Sequence, residues 1–202
     1  MRLVWPACCG ALLLAGCATP RLSHVPLTAL EQEALLRDLS GFRLQGRAGV
    51  QAGADGFNAS LSWRQQASES QLQLGGPLGA GSLILVYSPE VLRVTTSHGE
   101  KLEGAEAEQV LSEQLGFVPP FAALRFWVLG LVAPGEAPVA QVTDDMGRIA
   151  EMTQQGWRIH YDRWIQMATR VGEVRLPQRL TATHADLKLR LVTDRWQLQS
   201  AN

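Results

Sequence analysis

The side chains best suited to covalent chemistry in this 202-residue chain are three cysteines and four histidines. A thiolate is a nucleophile and a target for acylation or metal binding. An imidazole is the usual general base near neutral pH. His24, His98, His160 and His184 are widely scattered, none stands in an H-E-x-x-H arrangement, and no serine occupies a G-x-S-x-G elbow. No G-x-x-x-x-G-K-[ST] phosphate loop is present either. Asp144-Asp145 and Glu100, Glu103, Glu106 and Glu108 read as turn and helix-surface charges, not as catalytic pairs. The residues therefore point away from an enzyme, and they imply no cofactor and no metal.

Cys17 is the exception. Residues 1–16 open with one positive charge at Arg2, continue as a short apolar run and end in small residues, which is the layout of an export signal too short to span a bilayer. The run ends Leu14-Ala15-Gly16-Cys17, which looks like the bacterial lipobox. That motif implies acylation of the Cys17 thiol, cleavage before it and N-acylation after it. One acyl chain anchors only marginally, whereas two or more hold a protein on the membrane. Ala18 follows the cysteine where an Asp would resemble an inner-membrane retention signal, so the outer membrane is the expected address, with the domain facing the periplasm. Cys8 and Cys9 leave with the signal, so the mature fold has no thiol for a disulfide and its stability must come from burial.

Composition agrees with one globular domain: 46% of residues are hydrophobic and only 18% charged. The formal net charge of −1 argues against a nucleic-acid surface. The organisation read from the sequence is a signal peptide over 1–16, a lipid-anchored tether over 17–26 and a single domain over 27–202, expected as a monomer.

The elements that would carry any site are mostly strands. Thr28-Ala29-Leu30-Glu31 reads as a capping box starting a helix that runs to about Leu39. Period-two alternation then predicts strands over Phe42–Gln51, Phe57–Arg64, Gln71–Leu74, Ser82–Tyr87 and Val91–Thr96. Gly75 to Gly81 forms a Gly/Pro loop in which Leu78 is the lone large side chain. Helices are predicted over Ala105–Leu115, stopped by Gly116, and over Phe121–Leu129 after Pro120, stopped by Gly130. Strands resume over Val139–Thr143, Arg148–Thr153, Trp157–Ile165, Val174–Thr183 and from Leu187, with Pro177 marking an edge or a bulge. About ten antiparallel strands tend to curl toward closure. The helices would cover the concave face as a lid, over either a solid core or a cavity; alternation is compatible with both. Arg43, Arg47 and Arg64 fall on the polar face, where they are solvated or steer an acidic partner.

Several pieces carry a family resemblance. Pro77-Leu78-Gly79 lies between two strands. Gly116-Phe117-Val118-Pro119-Pro120 precedes Leu124-Arg125-Phe126-Trp127-Val128-Leu129-Gly130. Gly156-Trp157 starts a late strand, and Leu176-Pro177-Gln178-Arg179-Leu180 leads into Leu187-Lys188-Leu189-Arg190-Leu191, with Trp196 following. In this order and spacing, from roughly Gly41 to Leu198, the chain resembles the LolB family, and L-R-x-W-x-x-G is its most specific piece. The resemblance implies a mainly β fold: an open antiparallel barrel of about eleven strands with helices capping an apolar cavity. It implies a receptor that accepts acylated lipoproteins from a LolA-type periplasmic carrier and places them in the outer-membrane bilayer without nucleotide. It also implies that the loop carrying Leu78 projects and touches the bilayer. Residues expected to line the acyl cavity are Leu44, Val50, Leu61, Trp63, Leu72, Leu74, Leu83 and Leu85 from the strands, and Leu111, Leu115, Leu124 and Trp127 from the lid; for each, plain core is an equal alternative. The competing expectation is a non-catalytic structural or assembly lipoprotein with a filled β-rich core. A soluble carrier is disfavoured because Cys17 would anchor it.

Overall fold

Alternation along the chain becomes strand after strand of one antiparallel sheet in the computed structural model, which describes residues 24–76 and 81–200. The signal sequence, Cys17, the first part of the tether and Leu78 lie outside these residues. The strands are β1 (Leu39–Ala52), β2 (Asp55–Gln66), β3 (Glu69–Gly75), β4 (Ser82–Tyr87), β5 (Leu92–Thr95), β6 (Lys101–Glu103), β7 (Ala140–Thr143), β8 (Ile149–Gln154), β9 (Trp157–Ala168), β10 (Glu173–His184) and β11 (Leu187–Ser200). Their order across the sheet is β6-β5-β4-β3-β2-β1-β11-β10-β9-β8-β7. Pairing of the first and last long strands, β1 with β11, joins two meanders at the centre. β6 and β7 are left as edges, so the sheet does not close.

Laid flat, eleven strands would span about 50 Å. Instead, Leu85 on β4, Trp63 on β2 and Leu189 on β11 face one shared interior, so the sheet wraps around it. Phe42, Leu44, Ala48 and Val50 of β1 point inward while Arg43, Gln45, Arg47 and Gln51 are exposed. Along β11 the inward set is Leu189, Leu191 and Thr193, and then Trp196. The change of parity is a β-bulge: Gln45 pairs with Arg195 and Gly46 with Thr193, which leaves Asp194 as the extra residue. Without it, Trp196 would point to solvent.

The bulge brings two backbones close at Gly46. A Cβ built there would lie 2.1 Å from the Val192 carbonyl oxygen. Gly46→Ala is therefore expected to destabilise the fold by about 3 kcal/mol, the upper end of ordinary overpacking costs. Urea or thermal melts will show it as a loss several-fold larger than for Gly53→Ala, where a Cβ meets nothing within 4 Å and only the positive φ of 59° is strained.

Pro177 does sit at an irregularity. β10 pairs with β11 only from Arg179 onward, and its ladder to β9 shifts register on both sides of Arg179. The proline thus lies just outside the β10–β11 ladder, where its missing N–H breaks nothing. The β8–β9 hairpin turns at Gln155 and Gly156, both with positive φ (52° and 76°), the geometry of a two-residue turn.

Three helices are described: α1 (Ala29–Arg37), α2 (Ala105–Leu115) and α3 (Phe121–Trp127). The capping box at α1 is complete, with the Glu31 N–H donating to Thr28 Oγ1 at 3.3 Å and the Thr28 N–H donating to Glu31 Oε2 at 2.9 Å. The Thr28 hydroxyl also donates to Glu31 Oε2 at 2.7 Å, and this bond first, then that from the Thr28 N–H, holds the Glu31 carboxyl below its usual range. α1 stops at Arg37, short of the expected Leu39, because Leu39 already pairs with Ser200 in β1. α3 likewise ends at Trp127. The tether expected over 17–26 is docked at its end: the Glu173 N–H donates to the Val25 carbonyl at 2.7 Å and the Leu27 N–H to the Glu173 carbonyl at 3.2 Å. Among the described residues no helix is long and apolar enough to cross a membrane.

Candidate functional site

The concave face of β1–β4 and β11 is roofed by α2, α3 and the Gly116–Pro120 link between them. Leu115, Phe117, Phe121 and Leu124 from this roof meet Val50, Leu61, Trp63, Leu72, Leu74 and Leu85 from the sheet around a small cavity of about 40 Å³. Every lining residue is apolar; Ala48, Phe57, Pro119, Leu189 and Leu191 complete it. A cavity holds a water when it offers about 10–15 Å³, but only with polar partners. This one offers none, so it stays dry, and its size is that of a nearly filled interior.

The residues expected at the cavity divide by position. Val50, Leu61, Trp63, Leu72, Leu74, Leu85, Leu115 and Leu124 surround it. Leu44, Leu111 and Trp127 are buried in the surrounding core without lining it, and Leu83 lines a separate cleft nearer the surface. Phe57, Phe117, Phe121, Leu189 and Leu191 were absent from the expected set. Leu189 and Leu191 had a legible signal in their alternation, and Phe121 sits at helical spacing from Leu124. Phe117 lies in a loop and had none.

Trp127 is turned away from the cavity into a polar clamp. Its indole N–H donates to Gln154 Oε1 at 2.8 Å, and the Tyr161 hydroxyl donates to its carbonyl at 2.8 Å. Gln154 is fully buried and completely satisfied: Oε1 also accepts the Ala133 N–H at 3.0 Å, while Nε2 donates to the Ala133 and Glu136 carbonyls at 2.8 and 2.6 Å. Burial pushes the Tyr161 hydroxyl far above the ordinary tyrosine range, so it remains a donor at any working pH. The clamp fixes the C-terminal end of α3 to β8 and β9.

The other motif positions are now accounted for. Leu124 lines the cavity. Arg125 Nη1 donates to the Ala67 carbonyl at the β2–β3 turn at 2.8 Å, tying the roof to the sheet. Gly130 has φ of 78°, and a Cβ there would approach Trp164 to 2.9 Å, so both conformation and space call for glycine.

On the outer face Arg43 and Arg64 stand directly opposite each other on β1 and β2, both exposed, while Arg47 pairs with Asp194 at 3.2 Å. His160 lies 3.7 Å from Glu151 on the exposed face, and His184 packs against Trp157 with ring centres 5.3 Å apart and planes tilted by 35°. Among the described residues no three His, Cys, Asp or Glu side chains gather as a metal site.

A curled, unclosed antiparallel sheet with a helical roof over an apolar interior defines the class of the LolA-like folds. A crystal structure of a LolA superfamily protein from Nitrosomonas europaea has this fold, with a TM-score of 0.50 at 11% sequence identity over 87% of this chain and 96% of that one. Residues 40–196 match the family described as outer membrane lipoprotein LolB, and the chain belongs to that family. Its relatives include the outer-membrane lipoprotein LolB of Nitrosococcus oceani, 34% identical over 93% of both chains, and that of Alkalilimnicola ehrlichii, 35% identical over 93% of both.

Proposed function

We propose that this protein is an outer-membrane lipoprotein receptor. It takes acylated lipoproteins from a LolA-type periplasmic carrier into its apolar interior and places them in the outer-membrane bilayer. The observation that carries the reading is the cavity wall, which is apolar without exception and is built jointly by sheet and roof. An acyl chain exposed to water costs on the order of 10 kcal/mol at about 0.8 kcal/mol per methylene. Passing it between two shielded interiors avoids that cost. With no phosphate loop in the sequence, transfer runs downhill, from carrier to receptor and from receptor to membrane. Cys17, acylated, would hold the domain at the outer membrane facing the periplasm. Arg43 and Arg64 on the outer face would speed encounter with an acidic partner.

The closed interior is far too small for an acyl chain, so the roof must lift. The clamp at Gln154 makes the C-terminal end of α3 the fixed end. The apolar contacts of α2 and of the N-terminal turn of α3 with the sheet are what must yield. A second reading, a structural or assembly lipoprotein with a filled core, is favoured by the same small volume. A transfer assay separates them. The domain without Cys17 is mixed with a carrier holding a labelled lipoprotein, and the protein that retains the label is identified. Movement of the label to this domain without nucleotide is expected. If the label stays on the carrier while the domain is folded, the filled-core reading takes over.

A further inference from the structure

The formal net charge is only −1, yet the charges are sorted by face. On the outer face of β1, β2 and β11, away from the roof, stand Arg43, Arg47, Arg64, Lys188, Arg190 and Arg195, all exposed. Arg47 pairs with Asp194; the others have no carboxylate partner among the described residues. Arg64 and Arg195 reach only neutral acceptors, Gln66 at 3.1 Å and Gln45 at 3.5 Å. Asp55, Glu69 and Asp186 stand at the strand ends and the turn that bound the face. Arg43, Arg64 and Arg195 share a shallow trough of about 410 Å³ in which no carboxylate takes part. Arg43 and Arg64 are directly opposite across the ladder, an arrangement of like charges that weakens a sheet, so stability does not account for it. On the other side of the molecule the roof helix α2 exposes Glu106, Glu108 and Glu113.

We infer that this outer face is a docking surface for an anionic phospholipid bilayer. The domain lies on it with its strands along the membrane and its roof turned to the periplasm. Charge selects the partner. Each Lys or Arg near an anionic lipid surface strengthens binding by about fivefold, and an acidic roof is repelled from the same surface. None of the exposed large hydrophobic residues lies on these three strands, so the face has no apolar anchor of the kind that carries a protein interface. The tether selects the orientation. β10, where Val25 docks at Glu173, and β3, where the loop carrying Leu78 leaves at Gly75, flank the face. Arg179, Val192, Arg47, Ser60 and Gly75 form one row across the sheet, and Glu173 lies six residues from it, about 20 Å along the strand and away from the loop. Cys17 stands eight residues before Val25, a reach of at most about 28 Å. A domain standing on the loop would use most of that reach to bring Cys17 to the bilayer. Lying on the outer face, it brings the anchor and the base of the loop to the bilayer together, one at each side. This rests on the outer-membrane address proposed above and adds the contact surface and the orientation.

The test uses the chain from Ala18 onward, which keeps every described residue and contains no cysteine. Its binding to vesicles of phosphatidylcholine alone, and of phosphatidylcholine with phosphatidylglycerol, is measured by co-sedimentation over a salt series. Binding is expected to the anionic vesicles only, and to weaken steeply as salt rises. Replacing three cations together, Arg43→Gln, Arg64→Gln and Arg195→Gln, is expected to weaken it by about a hundredfold without lowering the melting temperature. Arg93→Gln, an exposed cation on β5 outside the face, should change it little. A second measurement places a dye on Ser62→Cys, in the trough, or on Glu106→Cys, on α2. Lipids spin-labelled at the headgroup should quench the first and not the second. Equal binding of the triple variant and the unaltered chain, or a Ser62→Cys dye that is not quenched, overturns the docking surface. If the triple variant binds vesicles normally but takes label from the carrier more slowly, the face belongs to the carrier and the membrane contact falls. If the unaltered chain accepts no label yet binds anionic vesicles through this face, the receptor reading falls and the docking surface stands.

Discussion

Trp127→Ala is expected to cost about 3–5 kcal/mol, the range for emptying a buried aromatic site, and to lower the melting temperature by about 10 °C for a chain of this size. Two effects add. The indole is fully buried and packs near Trp157, with ring centres 6.4 Å apart, so its loss leaves a cavity that the rigid β8–β9 hairpin cannot fill. It also removes one of the two donors on Gln154 Oε1. Trp127→Phe separates these effects. It keeps most of the ring and drops the N–H, and with Ala133 still donating to Gln154 the cost should be about 1–2 kcal/mol. Gln154→Leu should be worse than Trp127→Phe, because it strands the Trp127 and Ala133 donors and the Ala133 and Glu136 carbonyls in the core together. A Trp127→Ala protein that melts with the wild type would show that the clamp is not what holds the roof down.

The clamp was not legible in the sequence, and the reason is physical. Helical spacing of Leu124, Trp127 and Val128 marks a buried face but not which neighbour it meets, so Trp127 was expected at the cavity and is found against β8 and β9 instead. Gln154 offered less still. A glutamine before a Gln-Gly turn reads as a polar strand end, and only the fold brings Trp127, Ala133 and Glu136 around it. The sheet was easier. One face is core and the other solvent, so burial repeats every second residue, and β4 and α2 have the bounds their patterns predict. β6, at three residues with Leu102 alone partly buried, is too short to show a period, which is why about ten strands were read where eleven stand among the described residues. Cavity size left no trace at all. The same inward Val50, Leu61 and Leu85 would line a wide chamber or fill a core, and what decides is how far the roof sits from the sheet.

Leu78→Glu is expected to abolish delivery to the membrane while leaving the fold and acceptance from the carrier intact. Leu78 lies outside the described residues, so its role rests on the family resemblance and on the loop's setting. The loop leaves β3 at Gly75 and enters β4 at Ser82, and its base is closed by the Gly76 N–H donating to the Gly81 carbonyl at 3.0 Å. Both strands are paired up to that point, Gly75 with Ser82, so a change at Leu78 need not disturb the ladder. A leucine gains about 1.5–3 kcal/mol on leaving water for an apolar medium, and a carboxylate loses at least as much. A swing of about 3 kcal/mol is over a hundredfold in partition, so delivery to liposomes should fall by at least about tenfold. Leu78→Phe, apolar and larger, should retain it. Three measurements on each variant decide the matter: melting temperature, label transfer from carrier to receptor, and label transfer from receptor to liposomes. Loss of the third alone assigns Leu78 to the bilayer. If delivery falls only in step with melting temperature, Leu78 is folded back onto the core, and the membrane contact must be sought on another surface.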